Sequence, residues 1–248
     1  MATDRLDAAR AALRTERRRV VDEREAFEAF RRRLTDIDPA DAPAASDRRL
    51  LVDAPTATGA NAVRDAYRAT VMSVPHYDDE YGETYRDSVE IEFGPAVAAG
   101  LEEALDPATK RATLAAARGG YEDRDRLVEA LDAEADSLDD CRDVAVPVLE
   151  ELHELNAETR AGDYGALEAI RGRLVALERR CDDAVADRQA HLRENHARLG
   201  LPAEFPDLQR YLYRDLGVDY PALATLAELA DCVREARVRA ERRLATVG

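Results

Sequence analysis

The chain has 248 residues, with 36 Lys+Arg against 52 Asp+Glu and a net charge of −16, and Lys110 is its single lysine. Trp is absent and Phe is held to 4 residues, so the apolar content is mostly Ala, Leu and Val, which suits helices in side-by-side contact rather than a sheet. No apolar run approaches the ~18 residues that span a bilayer, and the charged stretch Met1–Arg10 carries no secretory signal.

Such a balance is expected of a cytoplasmic protein in concentrated salt. Surface carboxylates hold water and hydrated cations, and arginine keeps positive charge on a planar, weakly hydrated fork. Net charge of this size speaks to solubility and self-repulsion, not to fold. Cys141, Cys181 and Cys232 lie far apart with no C-x-x-C pair, which argues for reduced, buried thiols and against a structural zinc site.

From Asp4 to Ile37 the spacing predicts one helix. Leu6, Leu13, Val20, Phe27 and Leu34 recur at every seventh residue. The companion positions hold Glu16 and Glu23 in the middle and Phe30 and Ile37 at the end, a narrow stripe as in a coiled-coil arm. Residues 38–58, with Pro39, Pro43 and Pro55, read as a linker or long loop interrupted by Leu50-Leu51-Val52. A short helix follows, with Val63, Ala66, Tyr67, Val71 and Val74 on one side and Pro75 as its stop. Tyr77, Tyr81, Tyr85, Val89 and Phe93, four apart, predict a further helix broken by Gly94-Pro95, and a short one then runs to Leu105.

Asp106-Pro107 is an N-cap followed by proline at the first helical position, and no pattern forces a stop before about Thr159. Gly119-Gly120 and Pro147 are the weak points inside it, with Gly119-Gly120 read as a packing notch. A tight turn at residues 161–163 opens a second long helix, from an N-cap at Asp163 to Leu199. Cys141, Ala145, Val148, Leu152 and Leu155 on the first are mirrored by Cys181, Leu177, Leu174, Ile170 and Leu167 on the second, each pair equidistant from residue 161. That mirror sets one antiparallel register. Extended outward, it places Leu138 opposite Ala184, Glu134 opposite Arg188, and Leu131 opposite His191. A short helix ending at Gly217 and a last one from Pro221, with Leu223, Leu226, Ala230, Val233, Arg237, Ala240 and Leu244 at 3-4 spacing, complete the chain. The last helix is the expected mate of the N-terminal arm, with a second copy of the chain as the alternative.

The expected fold is all-α, an elongated helical bundle with a long antiparallel coiled-coil hairpin. Its parts are an arm at 1–37, the linker at 38–58, an acidic and aromatic short-helix region at 59–105, the hairpin at 106–200, and C-terminal helices at 206–248 packing on the bundle.

Groups that could carry chemistry are few. Glu150 and His153 share a helix face at i and i+3, half of a di-iron carboxylate motif. The register sets Asp187 and His191, the nearest second half, far along the hairpin. His191 and His196 are five apart and lack zinc-protease geometry. Arg17-Arg18-Arg19 and Arg31-Arg32-Arg33 could touch phosphates, but phosphate contacts weaken steeply with salt, and such triplets also form solvated faces paired with acids. The best candidate surface is His76, Tyr77, Asp78, Asp79, Glu80 and Tyr81, which joins a proline break, a histidine, two tyrosines and three acids.

Val63-Arg64-Asp65-Ala66-Tyr67-Arg68, the run Val71–Tyr81, Glu92-Phe93-Gly94 and Tyr211-Leu212-Tyr213-Arg214-Asp215-Leu216 with Asp219-Tyr220-Pro221 resemble a family of uncharacterised haloarchaeal proteins of this length, defined only as a domain of unknown function. The resemblance implies a helical halophilic protein and supplies no activity, cofactor or catalytic residue. The functional expectation is a non-enzymatic interaction or regulatory protein without cofactor. It would act on a protein partner or assemble with itself through its helices, with no membrane association. A nucleic-acid-associated regulator working through the arginine triplets and a metal-binding protein using Glu150 and His153 are the alternatives.

Overall fold

The computed structural model describes the backbone of residues 2–39, 55–159, 162–200 and 208–247 and the side chains of residues 3–39, 59–159, 162–200 and 208–247. Every regular element among the described residues is helical. The order is α1 (Ala2–Asp36), α2 (Pro55–Arg68), α3 (Tyr77–Glu80), α4 (Tyr85–Phe93), α5 (Pro95–Glu103), α6 (Pro107–Glu158), α7 (Tyr164–Leu199), α8 (Leu208–Leu212) and α9 (Pro221–Val247), with 3₁₀ turns at Val71–Ser73 and Arg214–Leu216. The chain forms two compact units. One comprises residues 1–16 and 129–248, the other residues 17–128, so α1 and α6 each contribute to both.

In the unit of residues 17–128 the core is aromatic. Phe30 stacks on Phe93 with centroids 5.8 Å apart, and Tyr67 meets both edge-on at 5.2 and 5.6 Å. Leu34, Val63, Val89, Leu101, Leu105 and Ala117 close around them. Gly120 lies against the Phe27 ring so tightly that a Cβ there would stand 2.7 Å from it, which is why α6 carries glycine where it passes α1. The single lysine also acts here. Lys110 Nζ donates to the carbonyls of Thr35 at 2.8 Å and Ile37 at 2.6 Å, satisfying carbonyls that the last turn of α1 leaves open. A slender ammonium can reach between two carbonyls where a planar guanidinium fork is less suited.

Two expectations change in this unit. The helix carrying Val63 and Tyr67 begins at Pro55, inside the expected linker, and ends at Arg68, and the rest of that linker, with Leu50-Leu51-Val52, lies outside the described residues. The expected continuous helix from Tyr77 through Phe93 is divided. Tyr81 ends α3, Gly82 takes a left-handed φ of 57°, and Thr84 opens α4 by accepting the Asp87 N–H. A local capping bond and a positive-φ glycine outweigh the four-residue spacing of the tyrosines.

In the unit of residues 1–16 and 129–248, α6 and α7 form the antiparallel hairpin. Cys141, Ala145, Val148, Leu152 and Leu155 are buried, as are Leu167, Ile170, Leu174, Leu177 and Cys181. The register is measured directly by Arg188, which hydrogen-bonds Glu134. Asp163 caps α7 by accepting the Ala166 N–H at 2.9 Å, and Gly200, at φ 61°, ends it. Helix α9 runs along α7, where Arg234 and Arg237 converge on Glu178 at 3.2 and 3.1 Å. Its buried face is wider than the expected stripe: Leu229 and Ala236 join Leu226, Ala230, Val233 and Ala240. The start of α1 buries Leu6, Ala9 and Leu13. It is tied to α9 by Arg5–Glu228 and to α6 by Arg142–Asp7 and Arg10–Asp139, the last at 2.7 Å. The arm therefore meets α9, as expected, and α6 as well.

Candidate functional site

Each unit is organised around one enclosed carboxylate. In the unit of residues 1–16 and 129–248 it is Glu134, fully buried where the hairpin register brings it opposite Arg188. Arg188 Nη2 donates to Oε1 at 2.6 Å and Nη1 to Oε2 at 3.0 Å. The Tyr213 hydroxyl donates to Oε1 at 2.6 Å, and the Gln209 amide and His191 Nε2 reach Oε2 at 3.1 and 3.2 Å. His191 was expected beside Leu131; it turns one helical turn along to Glu134 because an ionised carboxylate is the stronger partner for its N–H. Burial alone would raise the Glu134 pKa, but the hydrogen bonds from His191, Arg188 and Tyr213 and the charge of Arg188 outweigh it and hold the group at about 2. Both oxygens have their acceptor capacity taken up. Such a carboxylate is a lock, with no lone pair left to accept a substrate proton.

A cleft of about 370 Å³ opens beside this lock, between one face of α6 (Ser137, Asp140, Cys141) and one of α7 (Asp187, Arg188, His191). Arg188 Nη1 also donates to Ser137 Oγ at 2.8 Å, which gives that hydroxyl a donor and not a base. Burial pushes the Cys141 thiol up to about 11, so it is not a thiolate at neutral pH. Cys181 is pushed to about 11 for the same reason.

In the unit of residues 17–128 the carboxylate is Glu23. It occupies a companion position of the α1 stripe, where an apolar residue would be expected. His76 Nε2 lies 3.0 Å from Oε1, the Tyr81 hydroxyl donates to Oε1 at 2.8 Å, and Arg124 Nε donates to Oε2 at 3.1 Å. Arg124 then grips Glu92 with both terminal nitrogens at 2.8 and 2.6 Å, its guanidinium 4.6 Å from the centre of the Phe27 ring. Burial, reinforced by the charge of Glu23, raises the Tyr81 pKa. A constellation of Glu, Arg, His and Tyr thus occurs in each unit.

These contacts redraw the expected surface at residues 76–81. His76 and Tyr77 are buried, His76 drawn inward by Glu23, and Tyr77 is packed with its ring 5.5 Å from that of Tyr81. Neither is exposed as the expected surface would require. Asp78, Asp79, Glu80 and Tyr81 are exposed, Tyr81 at 44%, with Glu80 held by Arg19 at 2.6 Å. Arg124 was not named from sequence, and Glu23 and Glu92 were named only as a stripe position and within a family-like run, with no role given to either. The available signal was a glutamate at an apolar position of the α1 stripe.

The other candidates separate. Glu150 and His153 stand exposed on α6, and among the described residues no three His, Cys, Asp or Glu side chains converge as an ion would require. Arg19 is engaged by Glu80, and Arg31 by Glu28 at 2.9 Å, within the triplets. Among the described residues no helix is long and apolar enough to cross a membrane.

A family model described as "Domain of unknown function (DUF7260)" matches residues 4–237. The chain belongs to that family. No curated protein and no solved structure matches it.

Proposed function

We propose that this DUF7260 protein is a non-enzymatic interaction protein of a salt-rich cytoplasm, docking a protein partner through the exposed turn Asp78–Tyr81. The observation that carries the reading is the way Tyr81 is held. Its hydroxyl is fixed by Glu23 while 44% of its surface stays open. A tyrosine so restrained offers a large contact and loses little side-chain freedom on binding. Asp78 and Asp79 beside it favour a partner surface bearing arginine or lysine. The saturation of Glu134 supports the non-enzymatic part, since the most buried acid among the described residues stabilises helices. The acid excess and the near-exclusive use of arginine support the salt-rich setting, and helix content should fall as KCl is withdrawn.

A photo-cross-linking residue placed at Tyr81, with the same residue at exposed Ala112 as control, tests docking in cells. One protein should be recovered from position 81 and not from 112, and the Tyr81→Ser variant should no longer compete for it. Identical products from both positions, or none from 81, would remove the docking face.

A further inference from the structure

We propose that the cleft where α6 and α9 end side by side, in the unit of residues 1–16 and 129–248, binds a small ligand through a terminal phosphate group. Asn156 of α6, Thr159 just past its end, and Arg239, Arg242 and Arg243 of α9 line a space of about 610 Å³, and no carboxylate is among the described residues of its walls. In a chain of net charge −16, residues 234–243 hold five arginines against two glutamates, a local charge of +3. Neither glutamate is among the described residues of the cleft wall. Glu241 is paired with Arg237 at 2.9 Å, and Glu235 lies 3.7 Å from Arg239 Nη1, the nitrogen not bonded to Asn156. Arg242 and Arg243 are exposed and form no ion pair among the described residues.

The geometry distinguishes this cluster from the other arginines of α9. Arg234 and Arg237 are answered by Glu178. Arg239 instead donates to Asn156 Oδ1 at 3.0 Å, which spans the two helices and fixes its guanidinium at the cleft. Thr159 spends its hydroxyl on the Leu155 carbonyl at 2.7 Å and so shapes the wall without competing for the ligand. Arginines near a helix C-terminus also oppose its dipole, but that interaction is modest and falls off within one turn. It does not account for three guanidiniums around one hollow.

Guanidinium forks match phosphate oxygens in pairs, and the cleft falls in the size range of small-ligand sites. A terminal phosphate carries a charge near −2 at neutral pH, which suits three arginines better than the single charge of a phosphodiester. The proposal rests on this unit alone and is independent of the docking face at residues 78–81.

Calorimetric titration of the full chain in fixed KCl tests it. The probes are inorganic phosphate, adenosine monophosphate, and a single-stranded oligonucleotide without terminal phosphates. Phosphate and the mononucleotide should bind saturably, and the mononucleotide should weaken below about pH 6 as its phosphate dianion takes up a proton and becomes a monoanion. The double variant R242Q/R243Q should lose at least tenfold in affinity, while R193Q, an exposed change on α7, leaves it unaltered. Circular dichroism should be the same for all three chains. Absence of binding above the KCl background, or undiminished binding by the double variant, would overturn the site. Equally tight binding of the oligonucleotide would overturn the assignment to a terminal phosphate.

Discussion

Replacing Glu134 by leucine tests whether one buried carboxylate holds the hairpin to Tyr213 and Gln209. The substitution leaves Arg188, with 1% of its side chain exposed, as a cation supported only by Ser137. Breaking such a pair from one side costs about 3–5 kcal/mol. A second route gives a similar size. Lowering the Glu134 pKa from 4.5 to about 2 corresponds to about 3 kcal/mol of stability at neutral pH. The reverse change, Arg188→Met, should cost less, about 2 kcal/mol, because Tyr213, Gln209 and His191 still serve the carboxylate. The double variant Glu134→Leu/Arg188→Met should be clearly more stable than the sum of the two losses predicts, since no unpaired charge remains. Urea unfolding at fixed KCl, followed by circular dichroism, measures all three. The pH dependence supplies the sign. A depressed carboxyl contributes its full stability above its unfolded pKa of 4.5 and loses it as pH falls toward about 2. Wild type should therefore lose about 3 kcal/mol more than the double variant across that window. A Glu134→Leu cost below about 1 kcal/mol, or matching acid profiles for wild type and double variant, would refute the reasoning.

Adjacent glycines of α6 should respond in opposite directions. Gly120→Ala pushes a Cβ to 2.7 Å from Phe27 and should cost about 1–3 kcal/mol, whereas Gly119→Ala meets nothing within 4 Å and should stabilise by about 0.5–1 kcal/mol; equal melting shifts would contradict the placement of Phe27. The buried Tyr77 hydroxyl makes no well-formed hydrogen bond among the described residues, and the nearby Ser88 hydroxyl is engaged by Tyr67. Tyr77→Phe should therefore melt no lower than wild type, while Tyr77→Ala should lose about 3 kcal/mol or more from the core. Thiol labelling of the native chain at pH 8 should modify exposed Cys232 first, with Cys141 and Cys181 protected by burial and by pKa values near 11 until denaturant is added. Rapid reaction of all three thiols would show an open seam.

The hairpin was legible because its information is local and repetitive. The mirrored 3-4 spacing about residue 161 is a property of two helices that follow one another closely in sequence, and it was enough to set Glu134 opposite Arg188. The caps at Asp106 and Asp163 were legible for the same reason, as each lies within three residues of the N–H it serves. What surrounds Glu134 was not. Gln209 and Tyr213 arrive from a segment 75 and 79 residues away, and no local pattern marks their approach. The region of residues 76–81 shows the limit most clearly. From sequence its histidine and tyrosines formed one surface, but Glu23, 53 residues before His76, draws the histidine inward, and Arg124, 101 residues beyond Glu23, completes the ring. Composition and periodicity determined the helical class, the long elements, the hairpin register and the stripe of α1, because each follows from backbone geometry and the side to which apolar groups fall. Only the tertiary structure decided which polar residues are enclosed, since the partner that makes burying a charge tolerable comes from elsewhere in the chain.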